Sequence, residues 1–379
     1  MMEPCAPWPR HALLADEWAA VGRDRSRALV ALWADTSQVY ALLRDASDGI
    51  LFVSAGITDG AYPALSPTQP LAARFERMIH DLWGHIAVEG TDQRPWLDHG
   101  RWPRTIPMSL RPGPPGGSSE PPEFLPADDD TLDQVPLGPA GCGIAPAAHL
   151  RLTVRGEIIV GAEARLGYTH KGTLALIRGK SPRAAARFAA RLAAEATVAH
   201  SIAFARATEA ALGVEAPPRA AALRQVMATV EQTAAQLERE SAGVELEQLR
   251  RAAAIAFGHR LMMDCVVPGG VAADIAPGGI ETIRSAMGDA ASNLPALPEG
   301  ATSALLPNES GEGIGHAFGP QGEIWHWLRL DHGQIASAFL CDPGWGKWPA
   351  LEAALAGATL DDAPSMLATS NLSSSGVDL

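Results

Sequence analysis

The chain has 379 residues, 19% of them charged and 47% hydrophobic, which is enough for two domains with separate cores and too apolar for a disordered protein. A net charge of −13 and a pI near 5.3 argue against a nucleic-acid binder, because phosphate neutralisation needs clustered Lys and Arg. The four cysteines, Cys5, Cys142, Cys265 and Cys341, lie far apart and form neither a disulfide nor a zinc pattern, which suits a reducing compartment.

Met1 to Trp18 has no basic flank leading into an apolar core, so no signal peptide is expected there. No apolar run approaches the roughly 18 to 20 residues that span a bilayer. A cytoplasmic chain is expected, with any membrane link made through partners. Alternating patterns over Gln38 to Leu43 and Ile50 to Val53, then a helical pattern over Leu71 to Trp83, predict a small α+β domain over 1–110. Trp83, Trp96 and Trp102 belong to its core or to a docking face. The Pro-, Gly- and acid-rich stretch Arg111 to Asp130 predicts a linker over 111–132.

In 133–379 a hairpin is predicted first, with Leu150, Leu152 and Val154 alternating before a turn at Gly156-Glu157 and a return over Ile158 to Ala162. Ser181-Pro182 predicts the start of one long Ala-rich helix ending near Leu212, where Gly213 and Pro217-Pro218 stop it. Helices follow over Ala220 to Glu240, Val244 to Met263 and Gly279 to Ala290. A second hairpin, Ile324 to Leu330 with Ile335 to Leu340, precedes a short helix over Trp348 to Ala356. The fold class is α+β, with a mainly helical second domain flanked by hairpins.

Arg165, Tyr168, His170 and Lys171 fall on one motif directly after a strand, which predicts polar groups projecting into a cleft. A plainer reading pairs them with acids such as Glu163 to fix the hairpin. His200, on an Ala-rich helix, reads as a satisfied core histidine. His259 and Arg260 are expected to brace the Pro268-Gly-Gly-Val271 turn, and Asp264 to pair with a basic residue. Gly311-Glu-Gly-Ile-Gly315 lacks the strand-then-helix context of a nucleotide loop and reads as a turn. Trp325, Trp327, Trp345 and Trp348 are expected to divide between core and an interface. The histidine spacings give no zinc pair, and no Ser-His-Asp order or Walker loop emerges.

The stretches Gly138-Pro139, Arg165-Leu-Gly-Tyr-Thr-His-Lys-Gly172, Phe257-Gly-His-Arg-Leu-Met-Met-Asp264 and Pro268-Gly-Gly-Val271, in that order, resemble a nickel-iron hydrogenase large subunit. The resemblance is to the energy-converting membrane-bound type, such as formate hydrogenlyase and hydrogenase 4, and to the related 49-kDa-type subunit of complex I. His80-Asp-Leu-Trp-Gly84, Glu89-Gly90 and Trp102-Pro103 resemble the 30-kDa-type subunit fused ahead of it. The resemblance implies a multi-subunit assembly with a small iron-sulfur subunit, membrane antiporter-like subunits and quinone-oxidoreductase-like subunits, on the inner face of the cell membrane.

The family's metal-binding positions fall on Ala193 and Ala196, and near Ser373 and Gly376, and the chain contains no Cys-x-x-Cys pair. Soft thiolates are what such a metal requires, so nickel is not expected. The family's arginine over the metal becomes Gln321, and its proton-route glutamate falls at about Pro146. Its quinone-holding histidine and tyrosine become Gly141 and Phe204, and Cys142, His149, Tyr168, His170 and His200 are the nearest substitutes. The segment between Ala220 and Phe257 looks shortened. The expectation is a large subunit that binds no cofactor of its own and couples an iron-sulfur partner to membrane subunits. The alternative is a subunit of NADH-quinone oxidoreductase type that reduces quinone or another small acceptor in a cavity lined by His149, Arg165, Tyr168, His170, Lys171 and His200.

Overall fold

Runs rich in Val, Leu, Ala and aromatic residues form strands early in the chain, whose computed structural model describes residues 8–117, 123–140 and 147–379. Cys5, Gly141, Cys142 and Pro146 lie outside the described residues. Contacts divide the chain into a first unit, Trp8–Lys171 with Gly344–Asp378, and a second, Gly172–Pro343 with Leu379. The units part at Lys171 and Pro343, away from the 111–132 segment expected as a linker.

The first unit opens with β1 (Arg10–Leu13), α1 (Ala15–Arg23), β2 (Arg27–Ala34), β3 (Gln38–Asp45) and β4 (Ile50–Gly56). The sheet order is β1-β4-β3-β2, parallel only between β1 and β4. Trp33 stacks on Tyr40 and Phe52 with centroids 5.6 and 5.7 Å apart, an aromatic layer that fixes the register of three strands. Next come β5 (Ala61–Pro63), α2 (Ala72–Trp83) and β6 (Ile86–Val88), with β6 parallel to β5. The apolar stripe of α2, Phe75, Met78, Ile79 and Leu82, is buried as its helical spacing predicts.

Three charged residues on the same helix are buried too, and each bonds to main chain, although Glu76 Oε2 has no partner among the described residues. Glu76 accepts from the Leu65 and Ser66 amides at 2.7 and 3.0 Å. Arg77 donates to the Arg94 and Pro95 carbonyls at 2.6 and 2.8 Å. Asp81 accepts from the Trp96 and Leu97 amides at 2.7 Å each. The loop that carries Trp96 into the core is thus shaped by one helix. Trp83 and Trp96 are core residues, whereas Trp102 is half-buried.

A three-stranded antiparallel sheet follows, β7 (Asp133–Leu137), β8 (His149–Arg155) and β9 (Ile158–Arg165), in that spatial order. The hairpin and its Gly156-Glu157 turn lie where the sequence places them. The edge strand β7 was not expected, and its Pro136 is tolerable because an edge strand can do without one ladder donor.

The second unit comprises α3 (Thr173–Ile177), α4 (Pro182–Ala189), α5 (Thr197–Leu212), α6 (Pro218–Arg239), α7 (Gly243–Phe257), β10 (Val266–Val267), β11 (Gly270–Val271) and α8 (Gly279–Met287). A meander of β12 (Gly311–Gly319), β13 (Gly322–Asp331) and β14 (Gln334–Cys341) completes it. Ser181 caps α4 as expected, yet the single helix predicted to Leu212 is two. Ala193 is extended, Thr197 Oγ1 donates to the Ala190 carbonyl, and the free amides of Val198 and Ala199 donate to Glu231 of α6. A new helix begins there because its unpaired N-terminal amides have the oxygens of a carboxyl group waiting. The helix expected to Met263 ends at Phe257, with Gly258 left-handed after it.

Gly311 to Gly315 is not a turn but the start of β12. A Cβ on Gly311, Gly313 or Gly315 would overlap the carbonyl oxygens of Ala211, Ala207 and Ala203 respectively. Glycines two apart on the strand thus face alanines four apart on α5, and the two backbones touch. Alternation of glycine here is a packing surface for a helix.

The chain then returns to the first unit as α9 (Gly344–Leu355) and α10 (Ala363–Ser370). Trp345 stacks on Phe75 at 4.5 Å. All four tryptophans expected to divide between core and interface, Trp325, Trp327, Trp345 and Trp348, are buried.

Candidate functional site

Strand β9 delivers the Arg165 to Lys171 motif against the residues that follow α10. Asp378, fully buried, accepts from the Gly167 amide at 2.6 Å, the Thr169 amide at 2.9 Å and Thr169 Oγ1 at 2.5 Å. His170 Nδ1 donates to the Asp378 carbonyl at 2.6 Å, and Lys171 Nζ to the Ser375 carbonyl at 2.7 Å. A carbonyl only accepts, so the His170 proton sits on Nδ1. Motif and tail are one hydrogen-bonded structure.

Aromatic rings line the same region. Tyr168 stacks on His99 at 5.2 Å and His170 on Trp102 at 4.5 Å, while His99 Nε2 donates to the Leu166 carbonyl at 2.6 Å. Tyr168 Oη lies 3.4 Å from His149 Nδ1. Burial first, then Arg151, pushes His149 below the usual imidazole range, and burial raises the Tyr168 phenol. A neutral imidazole carries one hydrogen, so when the phenol donates to Nδ1 the imidazole hydrogen is on Nε2. That Nε2 is buried with no partner among the described residues. The Phe124 ring meets His149 edge-on at 4.6 Å, with Arg151 over its face at 4.6 Å.

Arg165 is not free to meet a ligand. It is 1% exposed, donates to the Pro95 carbonyl at 3.0 Å and to the Glu123 carbonyl, and lies 3.6 Å from Glu163. Arg94 joins Asp92 and Glu163 at 2.7 and 2.8 Å, and Arg74 pairs with Glu352. This is the plainer reading of Arg165, a brace for the hairpin. His200 belongs to the second unit and is fully buried between His326 and Asp342. It is the satisfied core histidine that its helix predicts.

His259 Nδ1 accepts from the Leu261 and Met263 amides at 3.1 and 3.2 Å, and Arg260 pairs with Glu247. Neither makes the bonds that hold the Pro268-Gly-Gly-Val271 turn. Arg224 donates to the carbonyls of Gly270 and Val267, each at 2.9 Å, and Glu209 accepts from the Gly269 amide at 2.8 Å. Asp264 pairs with a basic residue as expected, Arg191, at 2.5 and 2.7 Å.

The residues at the family's metal positions do not fit nickel. Ala193 and Ala196 are buried, and the Ala196 methyl packs into an apolar cluster with Ala199, Ile202 and Ile324. Ser373 Oγ accepts from the Ser375 amide at 3.1 Å, and Gly376 has no side chain. Of the described thiols, burial pushes Cys265 up to about 11 and Cys341 further up, so both stay protonated and poor as ligands.

Several residues that shape the site were not singled out in the sequence. His99 and Phe124 reach it from loops and Asp378 from the tail, so no local pattern links them. The only signal for Asp378 was an acid in the otherwise uncharged stretch 371–379.

Relatives define the class. Hydrogenase-4 component G of Escherichia coli is 31% identical over 204 residues, covering 51% of this chain and 37% of that protein. Formate hydrogenlyase subunit 5 of Escherichia coli is 32% identical over 179 residues, 45% of this chain and 32% of its own length. An NADH-quinone oxidoreductase component of Paramagnetospirillum magneticum is 31% identical over 158 residues, 37% and 40% of the two chains. The chain thus spans less than half the length of these curated relatives. No family model matches. A chain of the membrane-bound sulfane sulfur reductase, an archaeal respiratory membrane complex, shares the fold with a TM-score of 0.59 at 14% identity, over 67% of this chain and 100% of that one. The chain is thus similar to subunits of hydrogenase-4, formate hydrogenlyase and NADH-quinone oxidoreductase.

Proposed function

We propose that this chain is the large-subunit-like component of a membrane-associated, complex I-related oxidoreductase or ion-translocating assembly, and that it couples an iron-sulfur partner to membrane subunits without binding nickel. One observation carries the reading. The family motif at Arg165 to Lys171 is fully folded and tied to the tail through Asp378, while the metal positions hold Ala193, Ala196, Ser373 and Gly376. The names of the relatives and the respiratory membrane complex that shares the fold support the setting. Among the described residues no helix is long and apolar enough to cross a membrane, so attachment in this reading runs through partners. Those partners are a small iron-sulfur subunit and antiporter-like and quinone-oxidoreductase-like membrane subunits, at the cytoplasmic face.

The His149–Tyr168 pair favours a second reading, in which the chain takes part in reducing a quinone or another small carbonyl acceptor with electrons from a partner cluster. A carbonyl oxygen needs a hydrogen-bond donor, and the unpartnered His149 Nε2 supplies one when Tyr168 donates to Nδ1. Acceptor-linked turnover of the native complex, isolated through this subunit, separates the readings. A loss of tenfold or more in both His149→Gln and Tyr168→Phe supports acceptor chemistry, and turnover indifferent to both supports coupling.

A further inference from the structure

A second cluster of titratable side chains lies in the second unit, where His200 of α5, His326 of β13 and Asp342 just after β14 are all buried, the two histidines at 0% exposure. His200 Nε2 is 3.0 Å from Asp342 Oδ2, and His200 Nδ1 is 3.0 Å from His326 Nε2, with ring centroids 5.2 Å apart. His326 Nδ1 is buried without a hydrogen-bond partner among the described residues. Phe204 closes one side of the His326 ring. None of these bonds is needed to shape the site around Tyr168.

Hydrogen-bond inventory limits what the cluster can hold. The Asp342 carboxylate accepts, so His200 Nε2 carries a hydrogen. Between His200 Nδ1 and His326 Nε2 there is room for one hydrogen. When it belongs to His326, both rings are neutral and the pair holds two ring protons. When it belongs to His200, that ring is an imidazolium against the Asp342 carboxylate, and neutral His326 carries its hydrogen on Nδ1. The second arrangement holds one more proton, yet both hydrogen bonds survive the change. A proton arriving at His326 Nδ1 sends the Nε2 proton to His200 Nδ1, and departure reverses the step.

We propose that His200, His326 and Asp342 form a buried site that takes up and releases one proton through His326. Burial and the neighbouring His200 both push His326 down, while the Asp342 carboxylate touches His200 and not His326. On α5, Arg206 donates to the His316 carbonyl and Glu209 pairs with Arg224. Cys341 precedes Asp342 on β14 and is held protonated by burial, while His316 of β12 faces Trp325 at 4.2 Å and Glu323 at 3.5 Å. In an oxidoreductase assembly such a site would balance the charge of an arriving electron. That use rests on the function proposed above, whereas the proton count does not.

Ring-nitrogen NMR of the full chain labelled in histidine, followed across the pH range in which it stays folded, tests the site. The expected result is a single transition in which His200 loses its Nδ1 proton as the His326 hydrogen moves from Nδ1 to Nε2. In Asp342→Asn the midpoint should fall by at least a factor of about ten in proton affinity. Fixed tautomers on both rings throughout the folded range in the unaltered chain would overturn the proposal, whether or not the variant folds. So would a midpoint unmoved by Asp342→Asn.

Discussion

At the scale of single residues, Asp378 and Glu231 are side chains on which whole segments depend. Asp378→Ala strips acceptors from the buried Gly167 amide and from the half-buried Thr169 amide and Oγ1. Leaving them unpaired costs about 3 kcal/mol or more, and Asp378→Asn, which keeps one acceptor oxygen, should cost less. Urea unfolding reads both, and an Ala variant as stable as the parent would contradict the clamp. Glu231 is buried against the start of α5, and burial lifts it from 4.5 to about 8 despite the two amides that lower it. The folded state therefore holds a proton that the unfolded chain has lost. Stability from this group is complete below the unfolded value near 4.5 and disappears as pH rises through about 8, a swing on the order of 5 kcal/mol. The difference in unfolding free energy between the parent and Glu231→Gln should change across that window, and parallel pH curves would refute it. The sequence made Tyr168, His170 and Lys171 visible because they share one motif. It left Asp378 and Glu231 unmarked, because their partners are main-chain amides, which every residue has.

At the scale of elements, the junction of α5 with β12 is set by absent side chains. Gly313→Ala would drive a methyl into the Ala207 carbonyl and the Ala211 amide, and should destabilise the fold by about 3 kcal/mol through forced separation of helix and strand. Gly346→Ala in α9 meets nothing within 4 Å and should be neutral or stabilising by about 0.5 to 1 kcal/mol, since alanine restricts the unfolded chain. Thermal or urea unfolding of the pair checks the contrast, and equal stabilities would contradict it. Strand β8 was legible because its burial alternates, and β3, β4, β13 and β14 because short runs dense in aliphatic and aromatic residues lie between turn residues. Strand β12 was not, since a strand that replaces its inward side chains with glycine loses the hydrophobic period and looks like a turn. The break between α4 and α5 was hidden for the opposite reason. Alanine favours helix everywhere, so nothing local marks where Glu231 of another helix intervenes.

At the scale of the whole molecule, the α+β class and the relationship to hydrogenase and complex I subunits could be read from ordered motifs without coordinates. How the chain partitions into units could not, because α9 and α10 return to the first unit after the whole of the second. The Pro-rich stretch at 111–132 marked a change in composition, and composition does not say which segments pack together. The central claim is that this scaffold serves an electron-transfer assembly without a nickel site of its own. Its most direct test is metal analysis with subunit identification on the native complex isolated through this chain. The account predicts an iron-sulfur subunit and membrane subunits in fixed ratio, iron present, and nickel well below one per chain. Nickel at one per chain, or a chain isolated with no iron-sulfur partner, would contradict it.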